Sequence, residues 1–228
     1  MTDQPEHPAG HGRAPAAADL LTLTTGRVEA FSDGVIAVAA TLLVLDIRQP
    51  ERGQDVWRVL GRQLPSLAAY VVSFLTILIF WVNHHALYHA VDRVNRAMLF
   101  INGLLLLAIS FVSYCTAVLG HALQSGEHDR SAAVLYALVL GLCSICFTGL
   151  WICLRARPGL LTEQARPRVD AALRRSLAGP AIYLVAILVG LLNAPASLAL
   201  DAVVALYFAL VPRHLRQAAL APTAAGRR

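Results

Sequence analysis

The chain has 228 residues, 57% of them hydrophobic and only 14% charged, and its formal charge of +5 is carried without a single Lys. A soluble domain, in which about a quarter of residues are charged, is excluded. The same composition argues against a disordered tail protein, a secreted disulfide scaffold and a nucleic-acid-binding domain.

Residues 1–26 are rich in Ala, Pro, Gly and His and are expected to form a flexible N-terminal tail. They lack the basic segment and the small-residue cleavage site of a secretory signal. The first candidate span is short: the uncharged run 34–45 has 12 residues, about 18 Å of helix against a hydrocarbon core of about 30 Å. To cross, this helix must take in Asp33, Ser32, Glu29 and Arg27. Three longer uncharged runs follow at 64–82, 97–120 and 131–154, each long enough for one transmembrane helix. The stretch 176–212 is broken only by Asp201 and holds two helices if the chain reverses at Asn193-Ala194-Pro195. The expected fold is all-α, a polytopic membrane domain of six helices over residues 27–212, with a C-terminal tail at 213–228.

Charge orients these helices, because cytoplasmic loops are enriched in basic residues. With six spans, 14 of the 19 Arg fall in the N-terminal segment, the second and fourth loops and the C-tail. Both tails are therefore expected in the cytoplasm and the protein in the cell membrane.

The first helix concentrates the polar residues. Its N-terminal half reads Arg27-Val28-Glu29-Ala30-Phe31-Ser32-Asp33-Gly34, and a second stripe, Gly34, Val38, Thr41, Leu42 and Leu45, recurs at intervals of three and four. Taken alone such a stripe reads as helix packing, but a narrow apolar tube with one hydroxyl ring can also gate ions by excluding water. The run from Arg27 through Phe31-Ser32-Asp33-Gly34 to Asp46-Ile47 resembles the signature first helix of the transmembrane protein 175 family of potassium channels, as does Trp81-x-Asn83-His84-His85 at the end of the second helix. Animal members of that family carry two six-helix repeats and prokaryotic ones a single repeat; this chain has one.

The resemblance implies a homotetramer in the lipid bilayer, with four first helices around a central pore that passively conducts potassium. It places the main constriction at Val38, where Ile is common, with further rings at Leu42 and Leu45 and the selectivity layer at Thr41. It gives Arg27, Phe31, Ser32 and Asp33 the task of holding the pore helix against its neighbours, with Trp81 and His84 as anchors of the motif. Asp46 is a candidate pore-mouth group, able to concentrate cations.

Other groupings read as packing. His85 and His89 lie at i, i+4, a spacing able to bind metal, yet no carboxylate or Cys pattern completes the site. Cys143-x-x-Cys146 and Cys153 sit inside an uncharged span, where thiols behave as small apolar groups. Asp201, within a span, is a functional candidate by default, the alternative being that it only pairs with an Arg or a backbone donor near the hairpin. A proton- or cation-coupled transporter using Asp33, His84 and Asp201 is the alternative, disfavoured because the signature segment is not repeated. No phosphate loop, zinc-protease helix or nucleophile elbow occurs, so neither an enzyme nor a cofactor is expected, potassium being the permeant species.

Overall fold

A computed structural model describes residues 24–125 and 130–210, so the expected tails lie outside the described residues apart from positions 24–26, 211 and 212 being likewise outside. Helix α1 (Thr25–Leu42) runs on as a 3-10 turn through Leu43–Asp46. It is followed by α2 (Val56–Arg62), α3 (Leu64–Tyr88), α4 (Arg96–Ser125), α5 (Arg130–Ala156), α6 (Val169–Ser176), α7 (Ala178–Leu192) and α8 (Ala194–Leu210). Five segments, Thr25–Asp46, Leu64–Tyr88, Arg96–Ser125, Arg130–Ala156 and Arg166–Leu192, are long and apolar enough to cross a membrane. Helix α8 is a shorter apolar sixth.

The break between the last two helices falls at Asn193, whose backbone is extended (φ −154°, ψ 110°). Its side-chain Oδ1 accepts from the Ala196 N–H at 3.0 Å, so the residue that stops α7 also caps α8. Two helices expected as loop are α2, capped by Asp55 through the N–H groups of Trp57 and Arg58, and α6, whose Asp170 accepts from Arg155 Nε. Both are too short and too charged to show as spans.

Helix α5 forms the centre, packed against α4, α7 and α8, while α3 packs on α4 and α8, and α1 lies on α3 and α4. Lipid gives helices no hydrophobic reason to associate, so close approach and interhelical hydrogen bonds must hold the bundle. Both are present. A side chain at Gly179 would collide with Ser144 Oγ. Tyr136 OH on α5 pairs with Ser73 Oγ on α3 at 2.9 Å, and Thr116 Oγ1 on α4 donates to the same Ser73 oxygen at 2.7 Å. All four Cys are free and buried, as packing groups. Asp201 departs from the pairing expected of it: it is 3% exposed, and neither carboxylate oxygen has a hydrogen-bond partner among the described residues. The helix places it among apolar neighbours and phenol rings instead of at the bundle end where the Arg residues lie.

The start of α1, the α3–α4 loop and the α5–α6 connection meet at one end of the bundle. Thr25 Oγ1 donates to Asp92 O at 3.1 Å, and Thr162 N–H and Asp92 N–H exchange with Ala90 O and Leu160 O at 3.0 and 2.8 Å. This end gathers Arg27, Arg93, Arg96, Arg155 and Arg157.

Candidate functional site

Helix α1 is apolar on two sides, and the structure treats them differently. At about 100° per residue, Val28, Ser32, Ile36, Ala39 and Leu43 form one stripe, and all five are buried. Roughly opposite run Arg27, Phe31, Gly34, Val38, Thr41 and Leu45, with Leu42 at the edge. Every one of these is exposed on the protomer, Val38 to 57%, Leu42 to 43% and Leu45 to 73%.

Directed hydrogen bonds hold the inner stripe. His84 Nε2 donates to Asn102 Oδ1 at 3.0 Å, Asn102 Nδ2 donates to Ser32 Oγ at 2.9 Å, and Ser32 Oγ donates to Val28 O at 2.8 Å. This relay joins α3, α4 and α1 through three buried residues. About two turns further along α1, Ser113 Oγ donates to the carbonyl of Ala39 at 3.0 Å. At the edge of the helix Trp81 Nε1 donates to Asp33 Oδ1 at 2.9 Å, and His85 Nδ1 faces Glu29 Oε1 at 2.8 Å. The far end is clamped by Gln63, whose amide accepts from Arg48 N–H and donates to Arg48 O, both at 2.9 Å.

Ser32, Asp33, Trp81 and His84 are thus brought together, Ser32 and His84 through Asn102. Arg27 and Phe31 are not: they share the exposed face with Val38. Asp46 is exposed at the end of the 3-10 turn. Sequence reasoning missed Asn102, Ser113 and Gln63. The available signal was polarity: Asn102 and Ser113 interrupt an otherwise apolar run, and in hydrocarbon each polar group needs a partner.

Along the exposed face the hydroxyl of Thr41 donates to Val38 O at 2.9 Å. Its proton is occupied within the helix, and its lone pairs remain available on the exposed side. The change from α to 3-10 winding after Leu42 also matters, because side chains three apart eclipse in a 3-10 helix. Leu45 therefore sits almost directly beyond Leu42, and the apolar face continues past the end of the α-helix along its Leu42 edge.

Comparison with known proteins identifies this helix and its two supports. The family described as "Endosomal/lysosomal potassium channel TMEM175" matches residues 27–112, which hold α1, α3 and half of α4. A protein named as a potassium channel from Streptomyces collinus is 42% identical over 86% of this chain and 97% of its own length. A second, from Chamaesiphon minutus, is 40% identical over 82% of this chain and 94% of its own. The crystal structure of a lysosomal potassium-selective channel TMEM175 homolog from Chamaesiphon minutus superposes with a TM-score of 0.73 at 38% identity, covering 82% of this chain and 96% of that one.

Proposed function

Because this chain belongs to the TMEM175 family of potassium channels, we propose that four copies surround one axis in the cell membrane, each turning the exposed face of α1 inward to line a potassium-selective pore. The observation that carries this reading is the division of α1 into a face bonded to its own bundle and an apolar face left open. Lipid alone would cover apolar side chains, but this face also carries the Thr41 hydroxyl and is bounded by Arg27 and Asp46, groups suited to an aqueous path.

Four copies convert the stripe into successive rings. Val38 makes the main constriction and Leu42 and Leu45 make two more, so water is excluded until the rings widen. Thr41 sets a layer of four hydroxyl oxygens beside the Val38 ring. With each proton held by Val38 O, the lone pairs replace part of the hydration shell of a dehydrating potassium ion. The four Asp46 carboxylates raise the local cation concentration at one mouth. Ser32, Asp33, Trp81 and His84 hold α1 to its own subunit, while Arg27 and Phe31 meet the neighbouring copies. The Arg-rich end faces the cytoplasm by the positive-inside rule, with both termini on that side. The domain 27–212 is the conducting unit, and it works without a cofactor. The chain is a channel and not an enzyme, as its family is; conduction needs none of the alternating access that a coupled transporter requires.

Mass measurement in nanodiscs together with reversal potentials in liposomes tests the proposal. Four chains per particle and a potassium preference that weakens in Thr41→Val, with assembly unchanged, are the expected results. A monomer in lipid, or selectivity identical in Thr41→Val, would show that ions take another path.

A further inference from the structure

We propose that His85 and His89 form a binding site for a divalent transition-metal ion at the junction of α1 and α3, with Glu29 as its outer carboxylate. The two imidazoles stand one turn apart at the C-terminal end of α3, and their Nε2 atoms face each other at 3.1 Å. Two nitrogens on a tetrahedral ion, each about 2.0–2.1 Å from the metal, are themselves about 3.4 Å apart. The observed separation is within a few tenths of an ångström of that value, and a turn of the two rings that aims both lone pairs at a common point makes the pair two ligands.

The remaining contacts prepare His85 for this role. Its Nδ1 lies 2.8 Å from Glu29 Oε1, which keeps the proton on Nδ1 and leaves the Nε2 lone pair directed at His89. A carboxylate behind an imidazole is the arrangement that orients metal-bound histidine and raises its basicity. Trp81 lies beside His85, with ring centroids 6.1 Å apart and 20° between the ring planes. The His89 ring stands edge-on to it at 89°. Among the described residues no group of three His, Cys, Asp or Glu is arranged to hold an ion. The site is therefore open, with water filling the other positions. Both imidazoles are exposed, so water and ions reach them. Imidazole donors suit Zn2+, Cu2+ and Ni2+, whereas Mg2+ and Ca2+ require oxygen. The inference is independent of which helix lines the pore.

Zn2+ titration of the full-length, tag-free protein in nanodiscs by calorimetry, with Co2+ absorption as a second readout, tests the site. His7 and His11, also four apart in the N-terminal segment, make the comparison of variants decisive. One saturable Zn2+ site per chain is expected at 85/89, weakened at least about tenfold by either His85→Ala or His89→Ala and roughly tenfold by Glu29→Gln, with Mg2+ failing to compete. The same Zn2+ affinity and stoichiometry in wild type and His89→Ala would overturn the proposal and leave the pair as a hydrogen bond between imidazoles. Elution of each variant at the wild-type position checks that the fold is kept.

Discussion

Val38 stands at the middle of the exposed face of α1, and in the proposed tetramer a single methyl more or less there changes the width of a ring by four copies at once. An apolar ring resists wetting, and the barrier falls when its lining accepts hydrogen bonds. Val38→Asn is therefore expected to raise potassium flux by on the order of tenfold, the factor given by a barrier change of about 1.4 kcal/mol. Val38→Phe should reduce flux to background with assembly intact, both measured in liposomes under a potassium gradient. Equal flux in the two variants would remove Val38 from the ion path. The spacing of Val38, Thr41, Leu42 and Leu45 was legible because a helical stripe needs only the period of the helix. Which face of α1 the bundle buries was not legible, because both faces are apolar and hydropathy cannot rank them. Polar partners from other helices made the choice: Ser32 meets Asn102, and Ala39 O meets Ser113.

At the scale of the helix, α1 is attached by directed hydrogen bonds as well as by the burial of Val28, Ile36, Ala39 and Leu43. Asn102 is central to this attachment, since it serves α3 and α1 together. An interhelical hydrogen bond in a bilayer is worth ~0.6 kcal/mol on average, but Asn102→Ala strands the buried His84 N–H as well as removing the donor to Ser32. The expected loss is about 1–3 kcal/mol, seen as a lower thermal unfolding temperature in detergent. Thr25→Ala, which removes only the exposed bond to Asp92 O, should cost much less. Comparable losses in the two variants would mean that the relay is not what fixes α1. The sequence pointed to the Phe31-Ser32-Asp33 segment by resemblance, but not to its reach: Asn102 is 70 positions from Ser32, a pairing that no local pattern encodes. The 3-10 end of α1 was equally hidden, because Leu43–Asp46 has nothing in its composition to forbid a further α-turn.

For the molecule as a whole, uncharged length was enough to find α3, α4 and α5, the first span had to take in charged residues, and the turn at Asn193 followed from residues that favour reversal. The buried position of Asp201 was missed, since charge alone suggested a partner that the packing does not supply. The last two helices differ in reach: α7 continues from α6 within one span of 27 residues, Arg166–Leu192, while α8 is the shorter apolar sixth, and both stand beside a hydrocarbon core of about 30 Å. Each mismatched ångström costs a fraction of a kcal/mol, so a change in bilayer thickness loads the lipid-facing rim of the bundle. Flux through the wild type is accordingly expected to change with lipid acyl-chain length, and flux through Val38→Asn, whose ring is already wet, to change much less. Equal responses would disconnect the rim from the ring. The connection follows from the bonds that fix α1 to α3 and α4: a helix fastened at Thr25, Ser32, Asp33 and Ala39 cannot bend aside alone. In the proposed tetramer the four subunits act as blades of an iris, each pivoting as one piece, and the thickness of the bilayer becomes a force on the aperture.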